Sequence, residues 1–243
     1  MRFLNTEIDN LTMDEAIERI DLLIQNRKPA YVVTPNVDHI VKLEEDEEFR
    51  EVYNEADLIL TDGMPLIWIS KLQRNEIKEK VSGSDLFPKV CELASKKSYS
   101  VFLLGAAEGI AAKAAEKLKN KYNGLNIVGT YSPSYGFEKN QQEIDKIIKV
   151  ISEAKPDILA VGLGAPKQEK FIHKYKNRFN VPISLAIGAS IDFEAGNINR
   201  APEWMQNSGL EWFYRFLKEP KRMFKRYFID DIKILKIYFK YKK

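Results

Sequence analysis

The sequence predicts a doubly wound α/β domain with a mostly parallel, Rossmann-like sheet, followed by a helical C-terminal appendage. Short β-branched apolar runs alternate with amphipathic helical segments, as they do in βαβ units. Some of these runs are apolar throughout, which indicates strands buried on both faces. The alternation stops near Gly196, so we predict an α/β domain over residues 1–195 and an appendage over residues 196–243.

The predicted elements follow one another along the α/β domain. Thr12, with Glu15 three residues later, forms a capping box that begins the first helix. The predicted strands are 30–34, 58–61, 100–104, 126–130, 158–162 and 181–187. Further helices are predicted at about 86–96, 110–121, 141–154 and 167–175. Because ligands of such sheets bind beyond the carboxyl ends of the strands, the residues after each strand are the candidate site.

The composition excludes disordered, fibrous and membrane-spanning proteins. The chain has 243 residues, of which 44% are hydrophobic and 30% charged, as in folded globular proteins. Its longest uncharged run, 122–137, is shorter than the roughly 20 apolar residues that span a bilayer. The single cysteine, Cys91, and the lack of a signal-peptide pattern predict a reducing cytosol, with Cys91 as a buried structural thiol.

Polar residues follow the first two predicted strands. Thr34 and Asn36 flank a proline after the first strand, and Asn36 either faces a ligand or caps the next helix. Asp62 follows the second strand and is a general base, a metal ligand or a helix cap. Asp85 is predicted to cap the helix that follows it. We expect His39 to be an ordinary helix residue.

Two glycine-rich turns before helices are suited to an anionic group. The first begins at Gly105 and lacks a complete dinucleotide fingerprint, so an NAD-dependent oxidoreductase is disfavoured. The second contains Gly164, with Lys167 and Gln168 at the start of a helix, where they could meet phosphate or sugar oxygens. No Asp-x-Asp triplet, histidine ligand spacing or Gly-x-Ser-x-Gly motif occurs, so no metal site and no serine nucleophile are predicted.

The charges are unevenly distributed, although the formal net charge is only +3. Residues 211–243 hold 11 Lys and Arg against four Asp and Glu, which gives +7 and leaves −4 for the rest of the chain. The same segment holds ten of the 27 aromatic residues. An apolar stripe at helical spacing runs through it, formed by Phe224, Phe228, Ile232, Leu235 and Phe239.

This pattern is typical of an amphipathic helix at a membrane interface, so the appendage is predicted to bind an anionic membrane surface. The cations assigned to that surface are Lys225, Arg226, Lys233, Lys236 and Lys240. Arg215 and Arg222 are predicted to reach the site at the strand ends. Packing of the stripe onto the α/β domain and dimerisation are alternatives, and nucleic-acid binding is disfavoured because the stripe is continuous.

Seven stretches together resemble the WecG/TagA/CpsF glycosyltransferases in order and spacing over nearly the whole chain. They are Thr34-Pro35-Asn36, Thr61-Asp62-Gly63-Met64-Pro65, Val81-Ser82-Gly83-Ser84-Asp85, Leu104-Gly105-Ala106, Gly162-Leu163-Gly164-Ala165-Pro166-Lys167-Gln168-Glu169, Arg200-Ala201-Pro202 and Gly209-Leu210-Glu211-Trp212-Phe213-Tyr214-Arg215. The stretch around Gly164 and the Gly-Leu-Glu-Trp stretch are the most specific of them.

The resemblance implies an inverting transfer of N-acetylmannosamine, or a related hexose or uronic acid, from a UDP-sugar to an undecaprenyl-diphosphate-linked sugar. It implies a role in teichoic acid, capsule or common antigen synthesis at the cytoplasmic face of the bacterial membrane. No metal or other cofactor is expected. A non-catalytic nucleotide-sugar or lipid-binding protein is the alternative, and a homo-oligomer is left open.

The resemblance also implies roles for single residues, with 1–195 as the catalytic domain. Asp62 would be the general base, as an exposed carboxylate that is ionised at neutral pH. Lys80, where the family commonly has Arg, offers a point charge instead of a bidentate fork. Arg215 and Arg222 would stabilise the leaving UDP. The residues expected to position the sugars are Thr34, Asn36 and Gln168.

Overall fold

A parallel six-stranded sheet forms the centre of the α/β domain in the computed structural model, which describes residues 1–242. The strands are β1 (Arg2–Phe3), β2 (Thr6–Glu7), β3 (Ala30–Val33), β4 (Leu58–Ile59), β5 (Ser100–Gly105), β6 (Asn126–Tyr131), β7 (Ile158–Gly162) and β8 (Ile183–Ala186). The large sheet has the order β4-β3-β8-β7-β5-β6, while β1 and β2 form a separate antiparallel pair. The carboxyl ends of β3, β4, β7 and β8 are therefore neighbours, which brings distant parts of the sequence together.

Helices connect the strands and cover the sheet. Those of the α/β domain are α1 (Met13–Gln25), α2 (Val37–Glu45), α3 (Glu47–Asn54), α4 (Met64–Leu72), α5 (Gly83–Lys97), α6 (Ile110–Lys121), α7 (Gln141–Ala154), α8 (Lys167–Phe179) and α9 (Ser190–Ala195). A short 3-10 turn at Phe137–Lys139 precedes α7. The predicted strands and helices are all found, and their ends either coincide with those predicted or differ by one to four residues.

Local capping explains where several helices begin. The predicted capping box of Thr12 and Glu15 is present at the start of α1. Asn36 caps α2 and accepts a hydrogen bond from the backbone N–H of His39. The prediction that Asp85 caps the next helix is wrong, because Ser82 is the cap of α5 and Asp85 lies in its first turn.

Alternate side chains of the strands contribute to two separate cores, one on each face of the sheet. Leu159 and Val161 of β7 pack with α2, α3, α7 and α8, while Ile158 and Ala160 pack with α1, α5, α6 and α9. All four side chains are fully buried. Burial on both faces is the property that the apolar runs predicted, and the doubly wound fold class is confirmed.

The appendage contains helices and, within residues 196–242, no strand. Its elements are α10 (Glu203–Asn207), α11 (Glu211–Lys218), α12 (Pro220–Lys225), a π-helical turn (Arg226–Asp230), a 3-10 turn (Asp231–Lys233) and α13 (Ile234–Tyr241). Met223 and Ile237 are buried, and Ile237 joins the core next to α2. The boundary at Gly196 stays a prediction, and Lys243, the last residue of the predicted appendage, lies outside the described residues.

Candidate active site

A cleft lies beyond the carboxyl ends of β3, β4, β7 and β8 and has two adjoining chambers. The glycine-lined chamber, of about 300 Å³, is bordered by the loops after β3, β7 and β8, including Thr34, Gly164 and Gly188. The tail-lined chamber, of about 110 Å³, is bordered by the start of α4 and by the appendage. The side chains that line both chambers are those of Asn36, Asp62, Arg215 and Arg226. The two chambers therefore meet at a carboxylate, an amide and two guanidinium groups.

Asp62 lies between the chambers on the turn from β4 to α4. Its backbone N–H donates to the carbonyl of Pro35, and Gly63 follows with a positive φ of 97° that turns the chain into the helix. Its side chain does not cap α4, so the capping alternative is wrong. Burial raises the pKa of the Asp62 carboxyl, while the nearby charges of Arg215 and Lys80 oppose that rise. The expectation of an exposed carboxylate near its ordinary pKa is therefore wrong.

Asn36 caps α2 and also lines the cleft, while contact with a ligand stays a prediction. As the cap of α2, its Oδ1 accepts from the backbone N–H of His39 at 3.4 Å and lies 2.8 Å from the ring Nδ1 of His39. Nη2 of Arg226 donates to the same oxygen at 3.3 Å. Asn36 also lines both chambers, so capping and a place in the cleft are compatible.

Gln168 holds two loops of the cleft together. Its side-chain oxygen accepts from the backbone N–H groups of Gly164 at 3.2 Å and Gly188 at 3.1 Å, and its NH₂ group donates to Glu169 at 2.8 Å. The side chain is buried below the glycine-lined chamber. Its geometry is that of a structural link, and direct contact with a sugar stays a prediction. Thr34, also buried, lines the same chamber.

A chain of ion pairs joins the α/β domain to the appendage beside Asp62. Asp85 accepts from Lys80 at 2.7 Å and pairs with Arg200 at 2.6 Å. Arg200 lies 3.4 Å from Glu211, which pairs with Arg215 at 3.0 Å. Lys80, Glu211 and Arg215 line the tail-lined chamber. Sequence reasoning had given no role to Arg200 or Glu211, although both lie in the stretches that carry the family resemblance.

Two of the predicted substrate-binding residues lie outside the cleft. Gly105 ends β5, and a Cβ there would come within 2.3 Å of the carbonyl oxygen of Gly162, so close strand packing requires this glycine. Lys167 borders a separate hollow and pairs with Glu138 at 3.0 Å. For both residues, a contact with substrate stays a prediction that this geometry does not support.

The arginines of the appendage face the cleft. Arg215 and Arg222 line the glycine-lined chamber, as the sequence predicted, and Arg222 also pairs with Glu219 at 2.6 Å. Arg226, which was assigned to the membrane, lies at the cleft instead, with its Nε 3.8 Å from Asp231. That assignment is wrong for Arg226, because its guanidinium group points to Asn36 rather than to the outer surface.

The apolar stripe of the appendage is exposed, while other residues hold the appendage in place. Phe224, Phe228, Ile232, Leu235 and Phe239 are each more than half exposed, so packing of this stripe on the α/β domain is excluded. Lys233 and Lys240 pair with the acidic end of α2, at Glu45 and Glu44. Lys225 and Lys236 are exposed. None of the helices within residues 1–242 has the length and apolar character that a membrane span requires.

The predictions for metal ligands and for the cysteine have different outcomes. Within residues 1–242, no group of three or more His, Cys, Asp or Glu side chains could hold a metal ion, and metal independence of the reaction stays a prediction. Cys91 is buried, as predicted, and burial raises the pKa of its thiol. His39 is a helix residue, as predicted, and its ring is buried and contacts Glu169 at 3.3 Å.

Comparison with known proteins agrees with these features. A family described as the glycosyl transferase WecG/TagA/CpsF family matches residues 1–243. A protein of Bacillus subtilis strain 168 is 34% identical over 199 residues, which cover 82% of this chain and 75% of the relative. One from Bacillus spizizenii is 36% identical over 200 residues, with the same coverage, and one from Staphylococcus aureus strain MW2 is 28% identical over 222 residues, covering 90% and 85%. All three are named N-acetylglucosaminyldiphosphoundecaprenol N-acetyl-beta-D-mannosaminyltransferase.

Proposed function

The chain belongs to the WecG/TagA/CpsF glycosyltransferase family, and on that premise we propose that it transfers N-acetylmannosamine from its UDP derivative to N-acetylglucosaminyl-diphosphoundecaprenol. The observation that carries the proposal is the position of Asp62, which borders both chambers of the cleft beside Arg215 and Arg226. A carboxylate between two chambers, with cations around it, suits a reaction that joins two substrates and releases an anion. The polymer that this step serves would be of the teichoic acid type.

Asp62 would act as the general base of an inverting displacement. It would take the proton of the acceptor hydroxyl while that oxygen attacks the anomeric carbon from the face opposite the nucleotide. The bond from the anomeric carbon to the phosphate oxygen breaks, and UDP leaves with the bonding electrons. Because burial raises the pKa of Asp62, its carboxylate holds a proton more readily than an exposed one, which favours proton abstraction.

The glycine-lined chamber would hold the UDP-sugar. Gly164 and Gly188 leave open space beside its loops because they have no side chain, and Arg215, Arg222 and Arg226 border it. Guanidinium groups form bidentate hydrogen bonds with phosphate oxygens, so these three would stabilise the charge that develops on the leaving diphosphate. The part of the cleft near Asp62 would then contain the anomeric carbon.

The tail-lined chamber would hold the acceptor sugar. It combines Asp62 and Lys80 with the apolar side chains of Met64, Trp212 and Tyr227. Aromatic rings often stack on the apolar faces of sugars. The ammonium group of a lysine is a suitable partner for the diphosphate of the lipid-linked acceptor. The acceptor hydroxyl would enter from this side and meet the donor at Asp62.

The appendage would bring the cleft to the cytoplasmic face of the membrane, where a lipid-linked acceptor lies. The exposed apolar stripe, with Lys225 and Lys236 beside it, supports this proposal because such a surface binds the interface of anionic bilayers. The arginines that face the cleft belong to the same segment. Membrane binding and completion of the active site would therefore use two sides of one appendage.

The proposed activity is tested with the Asp62→Asn variant, a UDP-sugar and a short-chain lipid-diphosphate acceptor in the presence of EDTA. We expect the wild-type chain to form the disaccharide product. The turnover number of the variant should be about 10²- to 10⁴-fold lower, because the base is gone. Asp145→Asn is the matched control, since Asp145 is a surface residue paired with Arg178. Equal turnover in Asp62→Asn and the control would reject Asp62 as the base.

A further inference from the structure

One buried pair next to the cleft is unused by the proposed reaction. His39 on α2 is 6% exposed and Glu169 on α8 is 1% exposed. Nε2 of the His39 ring lies 3.3 Å from Oε1 of Glu169. A bare ring nitrogen and a carboxylate oxygen would turn lone pairs toward each other, so the contact requires one proton between them. Among the described residues Oε2 of Glu169 has no hydrogen-bond partner, so the His39 ring and the NH₂ group of Gln168, both at Oε1, compensate this buried carboxyl.

The opposite nitrogen of the ring fixes the side chain of Asn36. Nδ1 of His39 lies 2.8 Å from Oδ1 of Asn36, and that oxygen also accepts from Nη2 of Arg226. Because Arg226 can only donate, the shared atom is the amide oxygen, and Nδ1 must carry a proton in order to bond to it. The backbone nitrogen of Asn36 also lies near Nδ1, but at 3.4 Å it is the longer contact and does not require a bare Nδ1. Among the side chains that the structure describes, the NH₂ group of Asn36 has no hydrogen-bond partner, and Asn36 borders both chambers.

We propose that His39 and Glu169 are positioning residues for Asn36. With Nδ1 protonated, Glu169 faces Nε2 either as a carboxylate that accepts from an imidazolium or as a carboxylic acid that donates to a neutral ring. In both states Nδ1–H holds the oxygen of Asn36 away from the cleft. Asn36 thereby presents its NH₂ group as a hydrogen-bond donor to an oxygen of the sugar or phosphate. This inference rests on the proposed transferase function.

A double-mutant cycle tests whether His39 acts through Asn36. His39→Phe is made in the wild-type chain and in the Asn36→Ala variant, because a phenyl ring keeps the packing against Phe49 and Tyr53, whose centroids lie 5.9 and 6.3 Å away. We expect kcat/KM for the UDP-sugar to fall about tenfold in the wild-type background and less than about twofold in Asn36→Ala. The loss of one fixed hydrogen bond to substrate accounts for a change of this size.

Two controls separate positioning from a structural role. His173→Phe makes the same change at the second of the two histidines, which contacts Tyr31 at 3.2 Å outside the cleft, and it should leave kcat/KM unchanged. An equal loss from His39→Phe in both backgrounds would overturn the proposal, because a structural histidine lowers activity whether or not Asn36 is present.

Nitrogen NMR of the full-length wild-type chain gives a readout that needs no turnover. With only two histidines, the His173→Phe spectrum assigns the ring signals. We expect Nδ1 of His39 to carry a proton that exchanges slowly with water and shows a through-space contact to Asn36. A bare Nδ1 would overturn the inference even if the chain proves to be a transferase. If Nδ1 is protonated but the chain transfers no sugar, the proposed function is rejected and the positioning of Asn36 by His39 is not.

Discussion

The α/β domain and the appendage use apolar residues in opposite ways. In the α/β domain, the side chains of β7 and the helices around it are buried in two cores, one on each face of the sheet. In the appendage, Met223 and Ile237 are buried, while the stripe from Phe224 to Phe239 faces outward. The appendage is attached by Ile237, which packs in the core next to α2, and by the pairs of Lys233 and Lys240 with the end of α2.

This difference indicates two physical roles for apolar residues in the same chain. A surface stripe of aromatic and aliphatic residues contributes little to the folding of a monomer, and large exposed apolar patches mark interaction sites. The inner side of the appendage carries arginines that border the cleft. The α/β domain thus forms the fold, while the appendage adds charge to the site on one side and an apolar surface on the other.

The largest expected effect compares one leucine from each region. Leu159→Ala removes a fully buried side chain of β7 and should lower the free energy of unfolding by about 2–5 kcal/mol. Leu235→Ala changes a side chain that is 56% exposed and should alter it by no more than about 0.5 kcal/mol. Urea unfolding of the two variants measures both values. Similar losses would mean that the stripe is part of the folded core.

Next in size is the effect of the appendage arginines on turnover. The double variant Arg215→Ala and Arg226→Ala should lower the turnover number about a hundredfold, because two donors to the departing diphosphate are lost. Lys225→Ala with Lys236→Ala is the matched control, since both lysines are exposed and outside the cleft. A steady-state assay with saturating UDP-sugar and a water-soluble short-chain acceptor distinguishes them, and an equal loss in the two double variants would mean that only the total charge matters.

A smaller effect concerns binding to lipid. Replacing Phe224, Phe228 and Leu235 together by Ser should weaken binding to anionic vesicles about tenfold or more, because apolar area that enters the interface is lost. Leu22→Ser on α1 removes a similarly exposed leucine from the α/β domain and should leave vesicle binding unchanged. Vesicle sedimentation at constant ionic strength measures both variants. If the triple variant bound vesicles as well as the wild-type chain, the stripe would not be the membrane-binding surface. Its partner would then be another protein surface, such as a second copy of the chain.

The smallest predicted effect is a pH dependence of the contact between the appendage and α2. Burial raises the pKa of Asp231 to about 6; Asp38 and Asp230 add to this rise, while Arg226 and Lys42 oppose it. A raised pKa means that the contact is strongest below about pH 4 and weakens as the pH rises through 6. Asp231→Asn should therefore stabilise the folded chain by about 1 kcal/mol at pH 7.5 and by less at pH 5. Thermal unfolding of the variant and the wild-type chain at the two pH values measures this effect. A variant that is no more stable than the wild-type chain at pH 7.5 would contradict the prediction.

Much of the fold and part of the site can be predicted from the sequence, for different reasons. Buried strands give continuous apolar runs, and parallel strands present their following residues at one edge, which is enough to predict Thr34, Asn36 and Asp62 as neighbours. The burial of Asp62 could not be predicted, because it depends on how the appendage returns over the cleft. Arg226 contacts Asn36 across 190 positions of sequence, and no local pattern reports such a contact.

The division of work between the two regions is tested most directly by one assay with two acceptors. The triple Ser variant of the stripe and the wild-type chain are compared with a water-soluble short-chain acceptor and with the long-chain acceptor in anionic vesicles. We expect equal turnover on the soluble acceptor, and turnover about tenfold lower for the variant on the vesicles. Equal losses on both acceptors, or no loss on the vesicles, would contradict the account.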